Sequence, residues 1–271
     1  MESLAFWVPG GLIFVLGAAV GSFLNVVIYR VPEGLSVIHP PSRCPQCKTP
    51  LKAYDNVPIL GWLWLRGQCR YCHYPIAGRY PLIETITGVL FFLTYCAFGW
   101  SWQTLGYCLF LSWLLALTVI DLDHMILPNL LTQSGVIAGW VFQGGIAFQQ
   151  TPTWTAALKG VMGAFIASIL GLWLFDSIRL VGAWVMGQDA MGGGDPKLAA
   201  MIGAWLGWPL MLVSSFLACL MGSIIGVGGI ATGLIKRRQA IPFGPYLALG
   251  GAIATFFGTQ MIDWYRGWIG L

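Results

Sequence analysis

Long apolar runs follow one another along nearly the whole chain, broken by one extended polar stretch from about Arg30 to Arg79. Runs of roughly 17 to 25 residues are long enough to cross a bilayer as helices. The pattern predicts helices near 6–29, 81–99, 103–121, 128–148, 155–175, 196–208, 209–231 and 242–262. The expected fold class is therefore all-α: a polytopic integral membrane bundle of about eight transmembrane helices with one small insert. The segment 180–194, with Gly187-Gln188-Asp189 and Met191-Gly192-Gly193-Gly194, lacks the unbroken hydrophobicity of a span and is expected at the membrane interface. The sixth helix is short and stops at Gly207-Trp208-Pro209, so a neighbour or local thinning must compensate. A short helix beside a glycine-rich loop suits the wall of a wet cavity.

Composition agrees, since 57% of the residues are hydrophobic and only 9% charged, against about 25% charged in a soluble domain. The first run lacks a basic n-region and stays apolar to Arg30, so it reads as a retained helix and not a cleaved signal. The formal charge of +4 matters less than its distribution. Arg30, Arg43, Lys48, Lys52, Arg66, Arg70 and Arg79 all fall in or beside the insert, which the positive-inside rule puts in the cytoplasm. Eight crossings then place Lys236, Arg237 and Arg238 in another cytoplasmic loop, with Lys159 and Arg266 as mild exceptions.

Two carboxylates fall at one predicted depth. Asp121 ends the run Leu114-Leu115-Ala116-Leu117-Thr118-Val119-Ile120, and Asp195 follows Gly192-Gly193-Gly194. Each alone has an ordinary explanation. Asp195 before Pro196 has the look of an N-cap, and Asp121-Leu122-Asp123-His124 reads as the polar exit of a helix. Together they point to chemistry, because ionisable groups at membrane depth cost several kcal/mol. A pair sharing a proton can act as general base on water and general acid on a leaving amine. Asp123 should turn to a different face. Lys197 and the helix N-terminus are expected to favour an ionised Asp195.

The insert carries Cys44-Pro45-Gln46-Cys47 and Cys69-Arg70-Tyr71-Cys72. Two C-x2-C pairs with a gap of about 20 residues suit a zinc ribbon. Two disulfides would need an oxidising compartment, against the cytoplasmic placement. Four thiolates close the tetrahedron, so Zn2+ at Cys44, Cys47, Cys69 and Cys72 would be structural and would leave no open position for water. His39 and His73 are not needed as ligands, and Cys96, Cys108 and Cys219 read as small residues of apolar helices.

Gly192-Gly193-Gly194-Asp195-Pro196-Lys197-Leu198 closely resembles the G-x-G-D region of type IV prepilin peptidases, and Asp121-Leu122-Asp123-His124-Met125-Ile126-Leu127-Pro128 resembles their first aspartate motif. Gly21-Ser22-Phe23-Leu24-Asn25 to Arg30, Arg79-Tyr80-Pro81-Leu82-Ile83-Glu84 and Pro242-Phe243-Gly244-Pro245 extend the resemblance along almost the whole chain. Asn129 departs from the family, in which many relatives have Asp. The resemblance implies a bacterial inner-membrane enzyme with its insert and active site on the cytoplasmic side. It implies Asp121 and Asp195 as the catalytic pair, and prepilin or pseudopilin precursors as substrates, cut after a glycine. In bifunctional members the new amine is then methylated with S-adenosylmethionine, and Asp55-Asn56-Val57-Pro58 resembles their cytoplasmic domain. Glu84 is a candidate participant, or else an ion-pair partner of Arg79 or another basic residue. The implied division is a first transmembrane helix over 1–30, a zinc-binding insert over 31–80 with a possible methyltransferase part, and a peptidase domain over 81–271.

Three alternatives compete with this reading. One is a peptidase without methyl transfer. Another is a non-enzymatic transporter binding its cargo at the helix break, for which no inverted repeat is visible. The third is a nucleic-acid module, disfavoured because the basic residues of the insert are dispersed among Glu33 and Asp55, so no nucleic-acid partner is expected.

Overall fold

The computed structural model describes residues 2–187, 191–234, 236 and 241–270. Gln188, Asp189, Arg237 and Arg238, which the sequence reading placed in interfacial or cytoplasmic segments, lie outside the described residues. The described residues form helices and no strand. Among the described residues, five helices are long and apolar enough to cross a membrane. Two compact units make up the chain, Met1–Ser112 and Trp113–Leu271.

In the first unit, α1 (Glu2–Arg30) runs antiparallel to α3 (Arg79–Phe98). Small residues let the two backbones close in, as suits helices in lipid. A methyl group added to Gly17 would meet Phe91 Cβ at 2.8 Å, and one added to Gly21 would lie 2.7 Å from Glu84 Cα. Further along, Asn25 Nδ2 donates to Tyr80 O at 3.1 Å. Between them the insert holds a 3-10 turn over Ala53–Asn56 and a short helix α2 (Leu60–Trp64). The helix α4 (Trp102–His124) begins in this unit, and Cys108 joins Ile13, Phe91 and Tyr95 in its core.

The second unit contains α5 (Asn129–Gln150), α6 (Trp154–Met186), α7 (Asp195–Ala231) and α8 (Gly244–Ile269). α7 is two helices joined at Gly207, whose φ of 78° and ψ of 168° are not helical. Neighbours of α8 give the direction of each half. Gly251 lies against Ile202, seven residues beyond the start of each helix. Gly222, Gly250 and Gly258 meet Tyr246, Ser214 and Leu210 respectively. The first half therefore runs parallel to α8 and the second antiparallel, so the chain reverses at Gly207-Trp208-Pro209, as the sequence predicts for a sixth and a seventh helix.

α6 departs from expectation. It runs on past residue 175 to Met186, through what was expected to be interfacial coil. Its added turns are apolar apart from Ser177 and the pair Asp176 and Arg179, which neutralise each other on the helix surface at 2.9 Å. Gly187, left-handed at φ 67°, ends it. Trp205 fixes the layers of this unit. Its indole donates to Gly135 O at 2.8 Å, and its carbonyl accepts from Gln143 Nε2 at 2.5 Å.

Candidate active site and metal centre

Asp121 lies in the last turn of α4, which stops when Met125 turns left-handed at φ 53° and its amide bonds to Asp121 O at 2.9 Å. Asp195 lies in the first turn of α7. The amides of Lys197 and Leu198 both go to Gly194 O, at 3.0 and 3.1 Å, so backbone closes that turn. The Asp195 carboxylate instead points to the Gly192 amide and comes within electrostatic reach of Asp121. Both carboxylates are buried, at 5% exposure for Asp121 and 4% for Asp195. Asp123, two residues on, is exposed, as helix geometry predicts.

The surrounding wall is largely backbone. The Gly244 amide faces the Asp121 carboxylate. A Cβ at Gly244 would stand 2.5 Å from Asp121 Oδ2, and one at Gly192 would stand 3.5 Å from Asp195 Oδ2. Leu127 sits against both supporting glycines, its Cβ 2.7 Å from a Cβ built on Gly194 and its Cδ1 3.5 Å from one built on Gly244. Lys197, expected to bias Asp195, gives its Nζ to Asn129 Oδ1 at 2.6 Å. Gly244 has no role in the sequence reading beyond its place in a matched motif. Its contribution is a backbone approach from a distant helix, which leaves only a glycine as a trace.

In the insert, the four cysteine sulfurs lie within 4.8 Å of one another. Cys44 Sγ and Cys72 Sγ are 3.7 Å apart, and Cys47 Sγ and Cys69 Sγ are 3.9 Å apart. A tetrahedron with Zn–S bonds of about 2.3 Å has edges of about 3.8 Å, whereas a disulfide needs about 2.05 Å. The cluster can hold a metal ion, and its donor set suits a soft one. Thr49, through its side chain and its amide, holds the Cys47 thiol down at about 6. Cys72, despite a favourable backbone hydrogen bond at Tyr74, is pushed up to about 11 by burial and the neighbouring sulfurs. Four thiols this close cannot all ionise without a cation among them.

The two halves of the cluster are copies of one loop. Cys44 N bonds to Thr49 O and Cys69 N to Tyr74 O, while Lys48 N bonds to Cys44 O and His73 N to Cys69 O. Lys48 and His73 are both left-handed, and the bridges Arg43–Pro50 and Gln68–Pro75 close each loop. The repeat C-x2-C-x2-P is visible in the sequence and went unread there.

Asp55 is buried in the insert, where Arg70 grips both its oxygens from Nε at 3.1 Å and one from Nη2 at 2.5 Å. That hydrogen-bonded pairing raises the Arg70 pKa. Glu84, 8% exposed, accepts the Ile59 amide on Oε2 at 2.7 Å.

Comparison with known proteins covers both parts of the chain. Residues 15–98 match the bacterial peptidase A24 N-terminal domain, and residues 108–227 match the type IV leader peptidase family. A prepilin leader peptidase/N-methyltransferase from Aeromonas hydrophila is 38% identical, over 96% of this chain and 94% of the relative. The chain belongs to the type IV leader peptidase family. Relatives of the same name occur in Neisseria gonorrhoeae, 38% identical over 92% of this chain and 90% of that one, and in Myxococcus xanthus, 42% identical over 79% and 61%. No solved structure matches. Family membership and the apolar helices together make this leader peptidase homologue an inner-membrane protein.

Proposed function

We propose that this enzyme removes the leader from type IV prepilins or pseudopilins, with Asp121 and Asp195 as its catalytic pair. The observation that carries this reading is two buried carboxylates from different helices, within electrostatic reach of each other and each beside a glycine. One proton is shared between them. The ionised carboxylate takes a proton from water as its oxygen bonds to the scissile carbonyl carbon, while the protonated one hydrogen-bonds the carbonyl oxygen. The C–N bond then breaks, the amine leaves with a proton from the dyad, and the pair returns to its singly protonated state. The Gly192 and Gly244 amides hold the carboxylates in place without adding side chains to the space a peptide must enter. The charge pattern of the sequence, followed through the predicted crossings, favours the cytoplasmic edge of the bilayer for the pair, where a basic leader meets an apolar helix.

The relatives' names include N-methyltransferase, and we extend that activity to this chain. When bound, S-adenosylmethionine would supply a methyl group to the amine exposed by cleavage. The described residues include no strand and so no glycine-rich strand-to-helix cradle for a nucleoside. Glu84, four residues beyond the insert, is the candidate for this activity, in a division that gives 1–30 a first helix, 31–80 metal binding with a possible methyltransferase part, and 81–271 the peptidase. The sulfur geometry favours Zn2+ at Cys44, Cys47, Cys69 and Cys72, where four protein ligands leave it a structural role.

The test is reconstitution of the purified protein in lipid with a prepilin precursor, following leader removal and then methyl transfer from labelled S-adenosylmethionine. Leader removal that survives both Asp121→Asn and Asp195→Asn would overturn the catalytic assignment. Cleavage without label would leave a peptidase alone, and no cleavage in permissive lipid would return the transporter reading.

A further inference from the structure

The insert bears an apolar face that the peptidase reading does not use. α2 is two-sided. Trp62 turns inward, its indole donating to Ile76 O at 3.0 Å, and Gly61 packs on the Asp55 carbonyl. The other side presents Leu60 at 65% exposure, Leu63 at 56% and Trp64 at 82%, with Val57 beside them at 43%. In water such a cluster would be an adhesive patch.

One hydrogen bond places this face along α3. Ile59 donates its amide to Glu84, and Glu84 lies five residues into the span Arg79–Phe98. At 1.5 Å per residue that is about 7.5 Å beyond Arg79 along the helix. The chain entering α2 therefore reaches below the mouth of α3, to a level where α3 itself exposes Leu82 and Ile86. We propose that α2 and the turn before it lie in the headgroup and upper acyl region of the bilayer, with Val57, Leu60, Leu63 and Trp64 turned to lipid. The surface continues the lipid-facing side of α3 and is the kind of place where tryptophan anchors a protein.

The charges around it fit that position. Lys52 and Arg66 flank the face and are exposed, suited to anionic headgroups. Of the two carboxylates close by, Asp55 has a side chain 2% exposed and is neutralised by Arg70, and Glu84 is buried and accepts the Ile59 amide. A groove of about 460 Å³ beside α2, lined by Tyr54, Leu60, Trp64 and Arg70 among others, opens onto the same face.

The test is photo-cross-linking of the full chain in vesicles of phosphatidylethanolamine and phosphatidylglycerol. A benzoylphenylalanine replaces Leu60 or Trp64 in turn, and Gln46, an exposed polar knuckle position, serves as control. Bound metal and leader removal are measured on each variant to show that it is folded. Lipid adducts at least fivefold more abundant at 60 and 64 than at 46 are the expected result. Adducts to another protein chain would make the face a protein dock and overturn the proposal. Equal lipid labelling at all three positions, or none, would overturn it too. These readouts do not depend on which residues cleave the substrate.

Discussion

At Gly244 a hydrogen atom marks the boundary of the candidate site. A methyl group there would stand 2.5 Å from Asp121 Oδ2, closer than real carbon–oxygen contacts allow, so Gly244→Ala must push the carboxylate aside. Overpacking of this kind costs about 1–3 kcal/mol of stability, and a misplacement near 1 Å can cost about 100-fold in rate. Leader removal should fall by one to two orders of magnitude in Gly244→Ala while the protein still melts cooperatively. Asp121→Asn and Asp195→Asn should each lower cleavage by at least about 100-fold, as expected of groups that handle the proton. Asp123→Asn should stay within a few-fold, because Asp123 faces outward on the same helix. Glu84→Gln keeps an acceptor for the Ile59 amide and loses the charge. If Glu84 serves methyl transfer, this variant should retain bound metal and leader removal while label incorporation drops at least tenfold.

At the scale of single elements, the insert depends on its metal loops. A stretch of about fifty residues buries too little apolar surface to hold a fold unaided, and sites of this kind couple metal binding to folding. Cys44→Ser or Cys69→Ser should abolish stoichiometric zinc and open the insert to protease, while the melting of α5 to α8 changes little. Metal analysis and limited proteolysis on the same samples would check both halves of that expectation. The cysteine spacing was legible because a tetrahedral site demands particular residues at particular intervals. The run of α6 to Met186 was not, since a single Asp176–Arg179 pair lets an apolar helix continue through what looks like an interfacial break. Asp195 was only half legible. Its sequence context, glycine before and proline after, is that of a helix cap, yet backbone closes the turn at Gly194 and leaves the carboxylate within electrostatic reach of Asp121.

For the molecule as a whole, the aspartate pair depends on where helices reverse. Gly207 holds φ 78° and ψ 168°, a conformation essentially confined to glycine. Gly207→Ala should destabilise the second unit by about 1–3 kcal/mol, read as a lower melting temperature. Cleavage should decline only in proportion to the folded fraction, since the substitution is at the far end of the helix from Asp195. Hydropathy gave the order of the spans and a break at Gly207-Trp208-Pro209. It could not give the helix neighbours, because apolar surfaces turned to lipid and to protein read alike in a sequence. Only the glycine contacts of α8 reveal that the two halves of α7 run in opposite directions.

Leu127 makes the gap between the two aspartates a matter of carpentry. Wedged between the glycine before Asp195 and the glycine beside Asp121, its isobutyl group works as a shim behind two carboxyl groups, while carrying no charge itself. A chemist could therefore retune the pair without touching either acid, trimming the shim by a methyl group or thickening it, and the proton sharing we propose would follow.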